Sequence, residues 1–461
     1  MRRAVRCSRT AIVARDTIRI GAGAGFSGDR IEPAIELAER GGLDFLVFEC
    51  LAERTIALSQ AARNRDPASG FDPMLERRMR AVLPAASRNG VRMITNMGAA
   101  HPRAAADKTA QVAAELGLND LRIATVLGDD VLDQVIAQDL PLIDRPGRVS
   151  DLAHSVVSAN AYLGAEPIVE ALSRGADIVI TGRVSDPALF LAPMIQAFGW
   201  SFDDWRRLGQ GTVVGHLLEC AGQLSGGYFA DPGLKDVSNL ARLGFPFADV
   251  KADGSAVLGK VAGSGGQLSL ATCKEQLLYE IFDPASYAQP DVVADFSTVQ
   301  FAEMAADSIG VSGGGGRARP TALKVSIGYK DGYVGEGQIS YAGAGAAARG
   351  RLALEIVRER LSLTGVSVRE LDLSLIGVDA VDCRARDEKA ETQLGEVRAR
   401  FVARTDSLRA AERIGEEVEA LYLNGPSGGG GVTRSVREVV AIASAMLPRA
   451  CVRPHLWWGT V

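Results

Sequence analysis

The stretch IRIGAGAGFSGDRIEPAIELAERGGLDFLVFEC, residues 18–50, decides how the rest of the chain is read. An apolar strand-type run leads into Gly23, Gly25 and Gly28. A helix-type run follows, and a second strand-type run ends at Glu49. By spacing alone this is a G-x-G-x-x-G fingerprint with an acid about 20 residues further on. A dinucleotide site also needs the helix to open among the glycines, so that its free amides meet the pyrophosphate. Here Asp29 follows Gly28 directly, and Pro33 suits a first-turn position. That delays the helix start by about four residues. It also leaves a carboxylate where a phosphate would sit. The stretch is therefore read as the β-α-β opening of a Rossmann-like sheet. A nicotinamide-dependent oxidoreductase using the Gly23–Gly28 loop is kept as an alternative function.

Working outward, short apolar runs recur at 17–21, 45–49, 91–96, 122–127 and 177–181, with amphipathic runs such as 104–116 and 165–174 between them. Strands buried on both faces read this way, and the alternation calls for parallel strands joined by crossover helices. The expected fold is α/β: an N-terminal Rossmann-like parallel sheet with helices on both faces, plus a mixed α/β C-terminal lobe. The expected division is a disordered extension over 1–16, the Rossmann-like domain over 17–200 and the mixed domain over 201–461. In the second half, GTVVGHLLECAGQLSG (211–226) reads as a helix. TALKVSIGYKDGYVGEGQISYAG (321–343) reads as a hairpin turning at Lys330-Asp331-Gly332. After it come a helix over 344–361, a strand at 371–378, a helix, a strand at ALYLNG (420–425), another helix, and a strand at ACVRPHL (450–456).

Ligands of open α/β sheets bind outside the carboxyl ends of the strands. The residues found there are Asp29 and Arg30, Glu49 and Glu53, Asn96 and His101, Asp129 and Asp130, then Arg183 and Asp186. One shared cleft is expected to gather Asp29, Glu49, Asn96, Asp130 and Arg183. Asp29 and Glu49 are candidate catalytic carboxyls, and Asn96 and Arg183 candidate substrate contacts. Asp186 either joins the contacts or caps the helix that Pro187 begins. In HLLEC, His216, Glu219 and Cys220 share one helical face. His216 is the candidate base, Glu219 its orienting partner and Cys220 a possible nucleophile. SGGGGRARP (312–320) and NGPSGGGG (424–431) are candidate anion loops, with Gly314, Gly315, Gly428 and Gly429 offering amides and Arg317 a charge. Neither ends as a P-loop does.

The bulk composition narrows the function classes. Of 461 residues 47% are hydrophobic and 23% charged, and the net charge is −5. A large core is feasible, and a nucleic-acid footprint is missing. Apolar runs fall short of the ~20 residues a span needs, so no membrane role is expected. The six cysteines stand far apart without metal spacing, which points to a cytoplasmic protein with no resident metal. Residues 1–15 carry five arginines and no acid. Their composition is similar to a transit peptide, and an unstructured extension is the simpler expectation.

GAGFSGDR and LDFLVFECLAE are followed in order by ADIVITGRVSDPALFLAP (176–193), GHLLECAGQLSGGYFADPG (215–233), KEQLLYEIFDPASY (274–287), VADFS (293–297), LKVSIGY (323–329) and LYLNGPSGGGG (421–431). In these blocks the chain resembles the AtuA family, the acyclic terpene utilisation proteins, from about residue 18 onward. That resemblance implies a setting in the breakdown of citronellol- and geraniol-type acids as acyl-CoA thioesters. Together with the acid/base and anion-binding candidates, it leads to an expected enzyme of lyase or hydratase type. Such an enzyme would act on a branched or terpenoid-derived acyl substrate. No cofactor is required, and coenzyme A enters only as part of the substrate. The expected partners are that small-molecule acyl substrate and further copies of the chain in a homo-oligomer. A non-catalytic acyl-CoA-binding subunit is the other alternative.

Overall fold

The computed structural model describes residues 16–382, 384, 388–391 and 393–460. The extension expected over 1–16 therefore lies, apart from Asp16, outside the described residues. In chain order the first half runs β1 (Thr17–Ala24), α1 (Glu32–Arg40), β2 (Phe45–Phe48), α2 (Glu53–Arg65), α3 (Leu75–Asn89), β3 (Arg92–Thr95), α4 (Pro102–Glu115), β4 (Arg122–Leu127), α5 (Leu132–Gln138), β5 (Val156–Ala161), α6 (Glu166–Ser173), β6 (Ile178–Thr181), α7 (Asp186–Phe198) and α8 (Trp205–Glu219). The five apolar runs read from the sequence all become strands. They pair in parallel in the order β1-β2-β3-β6-β4. Every residue of β2 and β6 is buried, as strands covered on both faces must be. Each such Val, Leu, Ile or Phe side chain stabilises by about 1.5–3 kcal/mol on burial. α1, α3 and α4 pack side by side as one group of helices, and α6, α7 and α8 as another.

The sheet does not stop near residue 200. It is continued by β7 (Pro246–Lys251) and β8 (Ala256–Lys260), and then, beyond α9 (Leu270–Leu278), β9 (Tyr287–Ala288) and β10 (Val293–Asp295), by β11 (Gln300–Ala305) and β12 (Ser308–Ser312). β7 pairs antiparallel with β1, so the segment past residue 200 extends the first sheet. β9 and β10 join β13 (Gly315–Arg317) in a small separate sheet. The chain divides into two compact units, one running to Gly328 and resuming at Ile442–Val461, the other Tyr329–Ala441. The sheet crosses the expected boundary at 200 because β7 pairs with β1 and β8 and β12 follow in turn from β7.

The expected hairpin over 321–343 is instead one strand, β14 (Ala322–Ala342), which begins in the first unit and ends in the second. Gly332 takes a positive φ of 76° in mid-strand, which permits a local kink without a reversal. Asp331 is held there by Arg369 and Arg404. The second unit continues with α10 (Ala346–Leu363), β15 (Glu370–Ile376), α11 (Glu388–Glu391), β16 (Glu396–Thr405), α12 (Leu408–Glu419), α13 (Leu421–Asn424) and β17 (Gly430–Pro448). Its sheet follows the order β15-β16-β14-β17, and Tyr341, Leu375, Phe401, Ile414 and Val418 fill its core. The strand expected at 420–425 is helical. The helix expected after it is the long strand β17, rich in the β-branched residues that a helix disfavours. β18 (His455–Thr460) returns to pair antiparallel with β4, starting later than the strand expected at 450–456 because Pro454 precedes it.

The glycines of the opening stretch serve packing. A Cβ on Gly25 would lie 2.5 Å from the carbonyl carbon of Cys220, so the end of β1 and the end of α8 meet backbone to backbone. Gly25→Ala is expected to lower stability by about 1–3 kcal/mol, the range for overpacking a filled site. The denaturation midpoint in urea checks this, with the slope unchanged.

Candidate active site

The carboxyl ends of β1, β2 and β6 open on a cavity of about 780 Å³, lined by Gly25, Glu49, Arg183, Asp186 and Glu219 among others. All of its lining residues belong to the first unit. Its wall is part acidic and part apolar, the latter from Tyr279, Phe282, Tyr287, Pro290, Leu323 and Met446.

Arg183 follows β6 and is 1% exposed. Its backbone N–H donates to Asp129 Oδ2 at 2.9 Å and its Nε to the Val184 carbonyl at 2.8 Å. Nη1 donates to the Leu51 carbonyl and Nη2 to Asp186 Oδ1. The guanidinium lies 4.5 Å from the centroid of the Tyr162 ring. Burial by itself lowers its pKa, but Asp186, Tyr162 and Glu49 outweigh burial and leave it above the ordinary value. Ser185, in extended conformation, occupies the N-cap position of α7. The Asp186 carboxylate is thus turned to Arg183 and does not cap the helix.

Glu49 sits at the end of β2, where its Oε1 accepts from Leu51 N at 2.8 Å and from Asn96 Nδ2 at 2.9 Å. Asn96 is fully buried, so it holds Glu49 rather than facing the cavity. Burial, then the Asp186 charge, pushes the Glu49 pKa well above the ordinary carboxyl range. Asp186 is also raised by burial, with Arg183 pulling it back.

Glu219 ends α8. Gly215 lets that helix lie against α7, since a Cβ there would come within 2.7 Å of the Pro187 carbonyl oxygen. Glu219 Oε1 is 2.8 Å from His216 Nδ1, while its buried Oε2 has no partner among the described residues. Burial, then Asp186 and Glu280, raises the Glu219 pKa well above its ordinary value. His216 is 1% exposed and lies against the rings of Tyr287 and Phe296, at 5.7 and 5.4 Å. Burial depresses its pKa from 6.5 to about 4, so the imidazole is neutral at pH 7. Its Nε2 lies 3.0 Å from the Gln276 carbonyl, which only accepts, and the network therefore assigns the imidazole proton to Nε2. Nδ1 is then an acceptor, and Glu219 Oε1–H donates to it. Glu219 lines the cavity, and His216, which does not, holds it in place.

Cys220 lines the cavity, but burial, then Glu219, raises its pKa and keeps it a thiol. Asp29 lies outside the lining. Its carboxylate accepts from Gly25 N at 3.0 Å and Arg30 N at 2.8 Å. The Ser27 carbonyl accepts from buried Arg78 at 2.7 Å and the Asp29 carbonyl at 3.1 Å. With the Gly25 amide taken and loop carbonyls drawn to Arg78, this loop is not arranged to cradle a pyrophosphate. Asp130 sits at a different depression, beside Gln134 and Arg453. Gly314 N donates to Gln210 Oε1 at 2.6 Å, and Gly315 pairs with Asp295 in the small sheet. Arg317 donates to Ala285 O and Ser286 Oγ. Gly428 and Gly429 belong to the second unit.

Several lining residues escaped the sequence reading, Glu280, Tyr162 and Lys324 among them. Tyr162 follows β5, a strand whose VVSANA sequence carries little apolar signal. Lys324 lies in β14, 162 positions further along, and no local pattern links the two.

The structure defines a mixed α/β protein with a largely parallel N-terminal sheet and a carboxyl-rich cavity at its strand ends. The family model for the acyclic terpene utilisation family protein AtuA matches residues 18–458, and the chain belongs to that family. No curated protein matches it. Membership connects the chain with acyclic terpene utilisation. Among the described residues no helix is long and apolar enough to cross a membrane.

The His216 shift has a stability consequence. Between pH 6.5 and about 4 the unfolded chain binds the imidazole proton and the folded chain does not, so stability is lost as pH falls through that window. His216→Gln removes this dependence. The stability gap between parent and variant is expected to narrow by on the order of 3 kcal/mol from pH 7 to pH 4. Chemical denaturation across that range reads the gap directly.

Proposed function

We propose that this chain is an enzyme acting on a branched, terpenoid-derived acyl thioester by lyase or hydratase chemistry. The observation that carries the reading is Glu219, a cavity-lining carboxyl with one oxygen fixed by His216 and the other buried without a partner among the described residues. A carboxyl with a raised pKa keeps its proton near neutral pH, and its delivery to substrate moves the Glu219 proton from the oxygen that faces His216 to the other oxygen. Glu49 is a second raised carboxyl in the same wall. In the hydration direction the singly ionised form of this pair is required: its carboxylate takes a proton from water as the oxygen bonds to the β-carbon. The other carboxyl gives its proton to the α-carbon, and elimination is the reverse. No electrons leave the substrate, so no redox partner is called for. The Arg183–Asp186 pair supplies a fixed dipole beside both carboxyls, and the apolar wall suits a branched hydrocarbon.

Glu219→Gln keeps the shape and removes the transferable proton. It is expected to fold, to bind a branched enoyl thioester, and to lose at least ~10²-fold in turnover, followed by loss of the enoyl-thioester chromophore. His216→Gln, acting only through Glu219, should lose less. Parent-like turnover in Glu219→Gln would remove this reading. Binding without turnover in the parent would favour the acyl-binding subunit instead.

A further inference from the structure

The cations of the cavity wall are each paired with a carboxylate. Five carboxyl side chains line it (Glu49, Glu53, Asp186, Glu219 and Glu280), against two cations, Arg183 and Lys324. Both cations already have a carboxylate partner. The Arg183 nitrogens are engaged by the Leu51 and Val184 carbonyls and by Asp186. Lys324 Nζ lies 3.1 Å from Glu53 Oε1 and 5.2 Å from the centroid of the Tyr162 ring. The Tyr162 hydroxyl donates to the same Glu53 oxygen at 2.6 Å and pins the carboxylate in place. Tyr162 in turn stacks on Arg183, so one aromatic ring separates the two cations and orients the partner of one of them.

We propose that Glu53 sets the charge specificity of this cavity: by neutralising Lys324 it excludes a free carboxylate and admits the uncharged thioester end of an acyl group. The inference rests on the acyl reading above and adds the residue that selects the form of the acyl group. A carboxylate entering here would lose part of its hydration and meet two cations that are each already paired with a carboxylate, whereas a thioester carbonyl brings no charge. Although burial favours its protonated form, Tyr162 and Lys324 together bring the Glu53 pKa down to about 2, so Lys324 stays neutralised across the physiological range. Specificity here comes from withholding a cation from the wrong ligand as much as from contacts to the right one.

The test uses the full chain and two probes, 3-methyloct-2-enoic acid and its N-acetylcysteamine thioester, titrated by calorimetry at pH 7.5. The thioester lacks the nucleotide of coenzyme A, so only the acyl end is compared. The parent is expected to bind the thioester at least tenfold more tightly than the acid. Glu53→Gln retains an acceptor for the Tyr162 hydroxyl but leaves Lys324 unpaired, and the thioester-to-acid affinity ratio should fall at least tenfold. Adding Lys324→Met to that variant should restore the parent ratio, because the freed cation is gone. Equal affinity of the parent for both probes overturns the inference without any variant. A folded Glu53→Gln protein with the parent ratio also overturns it. Failure of the parent to bind either probe counts against the acyl reading itself and removes this inference with it.

Discussion

The backbone contact between Gly25 and Cys220 is the constraint on which the site depends. It brings the last turn of α8 to the end of β1, so that Glu219 stands over the strand ends that carry Glu49 and Arg183. A side chain on Gly25 would push α8 away and open the space that the two backbones now fill. Gly215 and Gly209 serve the same end further back, against Pro187 and Gly315. Glycine inside a helix costs about 0.5–1 kcal/mol relative to alanine. α8 accepts that cost, and its position is fixed between α7 and the small sheet.

Once α8 is in place, electrostatics follows from burial. Glu49, Asp186 and Glu219 act on one another, and Arg183 is the cation that all three share. One guanidinium stabilises one carboxylate well, and Asp186 holds it through a direct contact. The remaining two carboxyls are held toward their neutral forms, and the group titrates as a set. His216 is neutral for the same reason, burial between two rings. The Glu219–His216 bond is then a contact between uncharged groups, rather than the salt bridge that its residue types suggest.

Glu53 illustrates the opposite outcome a few residues from Glu49. Both follow β2, yet Tyr162 and Lys324 meet Glu53 and hold it ionised, while Glu49 faces Asp186 and is driven toward its proton. Two glutamates in one short segment thus differ by what the fold brings to them from positions more than 100 residues away.

The sequence by itself determined the β-α-β opening, the five parallel strands and the strand-end location of Glu49 and Arg183, because short buried runs and crossover helices leave a local imprint on the chain. It also placed His216 and Glu219 on one face, since helical spacing is local. It misread 321–343 and 430–448, where a glycine can mark a kink as readily as a turn and where pairing with distant strands overrode a pattern that looked helical. Only the tertiary structure decided which strand-end polar groups meet. Asp29 turned to its own loop, Asp130 to another depression, and Tyr162 and Lys324 entered from β5 and β14. It also decided the protonation of the pair on α8, because the proton's position depends on burial and on the Gln276 carbonyl, and neither is written in the spacing of HLLEC.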